Sequence, residues 1–79
     1  MGVSFEAAFE AEFAGLNRYL RRRVGASVAD DLSAETFATA YANWERFDQA
    51  RPVRAWLYGI ARAARQCAAR LDRRERART

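Results

Sequence analysis

The sequence contains no histidine and no lysine, one cysteine, one proline, one methionine and four glycines in 79 residues. Without histidine, and with Cys67 alone, it forms neither an internal disulfide nor a histidine-ligated metal site. The same lack leaves few candidates for a general base or nucleophile, so no enzyme activity and no cofactor is expected. No apolar run reaches the ~18 residues of a membrane-spanning helix. Residues 1–15 carry three glutamates and no basic residue, unlike a secretory leader, so a cytoplasmic protein without a membrane partner is expected. Alternating runs rich in Val, Ile and Thr are also missing. The 51% hydrophobic content is dominated by alanine at helical spacing, which predicts an all-α fold: a compact three-helix domain with a long C-terminal helix. A chain this short forms one domain, 1–79, with a modest core.

What is present is unevenly distributed. Residues 1–50 hold five arginines against eight carboxylates, and residues 51–79 hold nine arginines against Asp72 and Glu75, a balance of −3 and +7. The second half is suited to a polyanion. Phe5, Phe9, Phe13, Leu16, Leu20 and Val24 repeat at three and four residues and predict a core-facing helix from about Phe5 to Arg23. Ser4 is its expected N-cap, Gly25 its stop, and Arg21, Arg22 and Arg23 complement its dipole.

The stretch 30–47, DDLSAETFATAYANWERF, organises the rest. Leu32, Phe37, Ala40, Tyr41, Trp44 and Phe47 keep one face of a second helix apolar, while Asp31, Glu35 and Thr36 mark a polar face. Ser27 with Asp30 resembles a capping box, placing the helix start at about Val28 and its end at about Phe47. Gly25 to Ser27 is then a short turn. Pro52 opens a third helix that runs beyond Leu71 and frays over residues 72–79. At ~100° per residue, Val53, Trp56, Leu57, Ile60, Ala64, Cys67, Ala68 and Leu71 share an arc of about 120°, and Arg54, Tyr58, Arg62, Arg65 and Arg76 an opposing arc of about 80°. Cys67 is therefore expected to be a buried small hydrophobe. Arginine binds phosphate bidentately and Tyr or Trp stacks on an unpaired base, so the second arc, beside a polar mobile loop, is a candidate nucleic-acid surface.

Taken in order, FEAEFAGLNRYLRRRVG, ADDLSAETFATAYANWERFD and RPVRAWLYGIAR resemble region 2 of the bacterial sigma-70 family, in particular its short extracytoplasmic-function (group 4) class. The resemblance implies binding of RNA polymerase core, through the β′ clamp helices, by the D-L-x-x-E pattern. Here that pattern is Asp31, Leu32 and Glu35, with Thr36 beside them. It also implies recognition and melting of the promoter minus-ten element, in partly single-stranded DNA. Asp48 to Arg54, including Gln49 and Arg51, occupy the place of a loop that captures a flipped base. Trp56 matches the aromatic at the upstream edge of the melted bubble, and by helical phase it belongs equally to the core. Arg51, Arg54, Arg62 and Arg65 supply phosphate contacts.

Two features depart from that pattern. Ala63 stands where the family usually has an Asn that helps read the minus-ten element. A complete sigma factor also continues through a linker to a second helical domain, beyond the end of this chain. Both favour an alternative, a truncated sigma-like interaction module that binds polymerase or an anti-sigma protein without reading promoters. A helix-turn-helix DNA binder is a third reading, against which no short recognition helix follows a tight turn.

Overall fold

Ser4 sits in extended backbone and its hydroxyl accepts a 3.1 Å hydrogen bond from the Ala7 amide, which caps helix α1 (Phe5–Val24) as the sequence predicts. The structure, a computed structural model, describes residues 2–78. Met1 and Thr79, the outer limits of the expected domain, lie outside the described residues. Gly25 ends α1 at φ 85°, where its amide donates to the Arg21 carbonyl, and the next residue already belongs to α2 (Ala26–Ala42). The expected three-residue turn is thus one glycine. No side chain caps α2, so the Ser27–Asp30 box does not form: Ser27 lies inside the helix and Asp30 faces α1.

Helix α2 stops five residues short of Phe47. There the Asn43 side-chain amide donates to the Thr39 carbonyl at 2.9 Å, an acceptor it shares with the Asn43 backbone amide at 3.1 Å. A 3-10 turn, Trp44–Arg46, then leads to Phe47, which is buried, and to α3 (Val53–Arg78). No strand occurs among the described residues, so the fold is all-α with a long last helix.

α2 runs antiparallel to α1 and packs against both other helices, so it buries a wide arc: Ala29, Leu32, Ser33, Thr36, Phe37 and Ala40. Leu16 and Leu20 from α1, and Leu57 and Ala61 from α3, complete the core. Burial of each such leucine contributes about 2 kcal/mol. The α3 core is centred on Leu57 and Ala61, turned about 60° from the arc drawn through Val53 and Leu71. Cys67 and Leu71 are exposed, correcting the expectation that both pack. Ala68 still packs against the core, so Cys67 is exposed by its phase on α3, and every residue from 69 to 78 is exposed. The helix nonetheless continues to Arg78 where fraying was expected, with an Arg76–Asp72 ion pair at 3.2 Å along it. The molecule is accordingly long, 52 × 23 × 15 Å.

At the other end, rings form a connected layer. Phe5 lies edge-on to Phe37, Tyr41 and Trp44, and Phe9 edge-on to Phe37 at 4.9 Å. Phe9, Phe13 and Tyr41, all expected in the core, close this layer from outside and stay exposed.

Candidate functional site

Of the four residues expected to meet polymerase, the fold presents two to solvent. Asp31 and Glu35 are exposed on the outer side of α2, in one stripe with Ser27, Ala34, Ala38 and Ala42 that spans an arc of about 100°. Leu32 is 3% exposed and belongs to the core. Thr36, expected on the polar face, is fully buried, and its hydroxyl donates to the Leu32 carbonyl at 2.7 Å. A threonine that satisfies its hydroxyl on its own helix fits a close-packed interior, so polarity alone misplaced it.

Asn17 is a residue that the sequence did not single out. Its amide donates to the Asp30 carboxylate at 3.1 Å and to the buried Ser33 hydroxyl at 3.0 Å, tying α1 to α2. The available signal was an asparagine beside the apolar stripe of α1, next to Leu16. Asp30 also lies 3.7 Å from Arg21, but both side chains are more than half exposed, so that pair contributes little. These contacts turn Asp30 toward α1 and leave Asp31 and Glu35 as the outward acids.

The second candidate surface comprises the 48–54 segment and α3. Asp48 organises the loop: its carboxylate accepts from the Ala50 amide at 3.0 Å and its carbonyl from the Arg51 amide at 2.9 Å. Gln49 accepts from the Val3 amide at 3.0 Å, so the loop expected to be mobile is tied to the N-terminal segment. Arg51 and Arg62 are exposed. Arg54 instead donates to Glu12 of α1 at 2.9 Å, and this hydrogen bond and the carboxylate's charge hold its pKa above the ordinary arginine value.

The aromatic candidates are also partly engaged. Trp56 is half-buried and stacks on Phe47, with centroids 4.4 Å apart and planes 19° apart, and Trp44 lies 5.9 Å away. One edge of this stack borders an open groove of about 240 Å³ lined by Thr39, Asn43, Arg46, Phe47, Trp56 and Ile60. Tyr58 packs edge-on against Tyr19 at 5.0 Å, and the Arg23 guanidinium lies 4.0 Å from the centroid of the Tyr19 ring. Arg65 is half-buried, and its Nε finds no hydrogen-bond partner. It lies at a groove of about 660 Å³ between α3 and the α1–α2 junction, with Val24, Val28 and Leu32. The first turns of the basic face therefore touch α1 through Arg54 and Tyr58, while Arg51, Arg62 and most of the Arg54 side chain stay open to solvent.

Among the described residues, no group of three or more His, Cys, Asp or Glu side chains is placed to hold a metal ion, and no helix is long and apolar enough to cross a membrane. The arrangement separates an acidic stripe on the central helix from an arginine-bearing surface on the last one, with aromatic rings between them. Comparison with curated proteins and with solved structures finds no match. The profile of the family described as Sigma-70 region 2, however, matches residues 9–77. That span runs from Phe9 in α1 to Ala77 near the end of α3 and includes both candidate surfaces, and the chain therefore belongs to the sigma-70 region 2 family.

Proposed function

We propose that this domain docks on the β′ clamp helices of RNA polymerase core through Asp31 and Glu35, and captures the melted minus-ten element with α3 and the loop before it. The observation that carries this reading is the stripe on α2. Two carboxylates project from a helix whose other side is locked into the core, and the alanines beside them allow a partner helix to approach closely. Leu32 and Thr36 support that stripe from behind rather than touching the partner.

For DNA the mechanism is capture. Unstacking a base costs a few kcal/mol, and a surface that binds only the open form recovers it through stacking and phosphate contacts. The groove beside Trp56 and Phe47 offers an aromatic wall for a base, with Arg46 at its edge, and Arg51 and Arg62 offer phosphate contacts. Arg54, held to Glu12 through Nε alone and 72% exposed, and Arg65, at the α1–α2 groove, are further candidates for phosphate contacts. The group 4 subclass belongs to the same proposal.

A second reading has its own observation. Arg54, Tyr58 and Trp56 are all committed to intramolecular contacts, and Ala63 supplies no amide to read a base. On that reading the domain binds polymerase, or an anti-sigma protein, without promoter specificity.

Titration of the chain against a β′ clamp-helix fragment, and separately against a single-stranded minus-ten oligonucleotide and its scrambled counterpart, decides between them. The first reading requires clamp binding together with an oligonucleotide preference of at least about tenfold, or ~1.4 kcal/mol. Clamp binding without preference supports the second, and absence of clamp binding refutes both as polymerase-binding accounts.

A further inference from the structure

The two ends of this long molecule carry unlike surfaces that fit one another. Near the start of α1, Phe9, Phe13 and Tyr41 are exposed, the last at 67%, and a groove of about 320 Å³ is lined by Phe5, Glu6, Phe9, Glu10 and Tyr41. At the far end of α3 a second groove, of about 480 Å³, is lined by Cys67, Arg70, Leu71, Arg73, Arg74 and Ala77. Leu71 there is 57% exposed. Each surface is apolar at its centre and charged at its edge, acidic on α1 and basic on α3.

The spacing also matches. Glu6 and Glu10 are four residues apart on one helix, and Arg70 and Arg74 are four apart on the other, as are Phe9 and Phe13, and Cys67 and Leu71. Two helices laid antiparallel in one register bring Glu6 level with Arg74, Glu10 with Arg70, Phe9 with Leu71 and Phe13 with Cys67. The α3 end has a further need of a partner. Residues 69–78 are all exposed, and ten residues of solvated helix are marginal by themselves. The α1 and α3 surfaces stand at opposite ends of the molecule, too far apart to meet within one chain.

We propose that the occupant of both is a second copy of this chain: an antiparallel dimer in which residues 67–78 of each protomer lie on the aromatic groove of the other. Two-fold symmetry forms both contacts at once and closes the assembly. This pairing involves neither Asp31 nor Glu35 and is independent of the proposed polymerase docking.

The test is a charge exchange in the full chain, read as molar mass by sedimentation at about 0.1 mM, within reach of a modest affinity. The unmodified chain is expected at the mass of two chains, with helicity that rises on association as residues 67–78 dock. Glu6→Arg with Glu10→Arg, and separately Arg70→Glu with Arg74→Glu, are expected to be monomers. Both pairs of side chains are exposed, so both variants retain their fold by circular dichroism. Mixed in equal amounts, the two variants are expected to restore the two-chain mass, because each reversed surface then meets its complement. A monomeric unmodified chain overturns the proposal and leaves the aromatic patch to a different protein. A dimer that survives either double substitution, or a mixture that stays monomeric, overturns it equally, as does a mass that grows beyond two chains.

Discussion

Leu57 and Leu71 share a stripe on the helical wheel of α3, yet the fold gives them opposite energetic weight, and one substitution at each tests this. Leu57 is fully buried in the cluster with Leu16, Leu20 and Leu32, whereas Leu71 is 57% exposed outside that cluster. Leu57→Ala loses buried hydrocarbon and leaves a cavity, which costs about 2.7–5 kcal/mol. At roughly 0.05–0.15 kcal/mol per residue, the whole domain is stable by only about 4–12 kcal/mol. Leu57→Ala therefore removes a large fraction of that stability. It lowers the melting temperature by more than about 10 °C, given a shift of ~4–8 °C per kcal/mol in a domain of this size. Leu71→Ala changes stability by less than about 0.5 kcal/mol, and so by less than about 4 °C. Urea and thermal unfolding followed by circular dichroism in dilute solution, where self-association is suppressed, give both values. Equal losses at the two positions, or a loss below about 1 kcal/mol at Leu57, would refute the placement of the core on Leu57 and Ala61.

Other expectations follow from single contacts. Gly25 holds φ 85° and ψ 168°, a region that is essentially glycine-only, so Gly25→Ala is expected to cost about 1–3 kcal/mol in urea unfolding although nothing lies within 4 Å of the added methyl. Thr36→Val keeps the side-chain shape and loses the bond to the Leu32 carbonyl; it should lower stability by about 1 kcal/mol and leave clamp binding unchanged. Glu12→Gln weakens the hold on Arg54. It should strengthen binding to a single-stranded oligonucleotide and steepen the log–log salt dependence by about 0.7, the increment for one more phosphate contact, and an unchanged slope would show that Arg54 stays on α1. Because the Arg54 pKa is raised in the folded state, the contribution of its pair with Glu12 is fully present below the ordinary arginine value and is lost only as pH rises through the folded-state value. No loss from this group is expected in titrations between neutral pH and pH ~10.

Helix ends written in local chemistry were legible in the sequence. The Ser4 hydroxyl and the Gly25 backbone act within a few residues of themselves, so α1 begins and ends where they indicate. The second helix was harder, because it ends at Asn43, whose side chain and backbone amides both bond the Thr39 carbonyl, while the apolar pattern continues to Phe47. Which residues are inside depends on how far the neighbouring helices reach. Periodicity gives Cys67 and Leu71 the same phase as Val53, but the core face of α3 is turned toward Leu57 and Ala61, so Ala68 packs against the core while Cys67 and Leu71 are exposed. Conversely, Tyr58 and Arg54 lie opposite the apolar arc, and α1 reaches them through Tyr19 and Glu12. Thr36 read as a surface residue, and Ser33 was not singled out. Their small hydroxyls are satisfied by the Leu32 carbonyl and by Asn17, contacts that no spacing rule signals. Asp31 and Glu35 were legible as a solvent-facing acidic pair because both flanks of α2 carried recognisable core residues.

The central claim is that this acidic pair is the docking surface for polymerase. The most direct test is the affinity of the chain for a β′ clamp-helix fragment, measured by titration calorimetry for the unmodified protein and for Asp31→Arg and Glu35→Arg. Both side chains are exposed, so neither change should alter stability by more than about 0.5 kcal/mol. Reversing one charge replaces attraction by repulsion at a docked surface, so each variant is expected to bind at least about tenfold more weakly, a change of ~1.4 kcal/mol or more. Clamp binding that is unchanged in both folded variants would contradict the account.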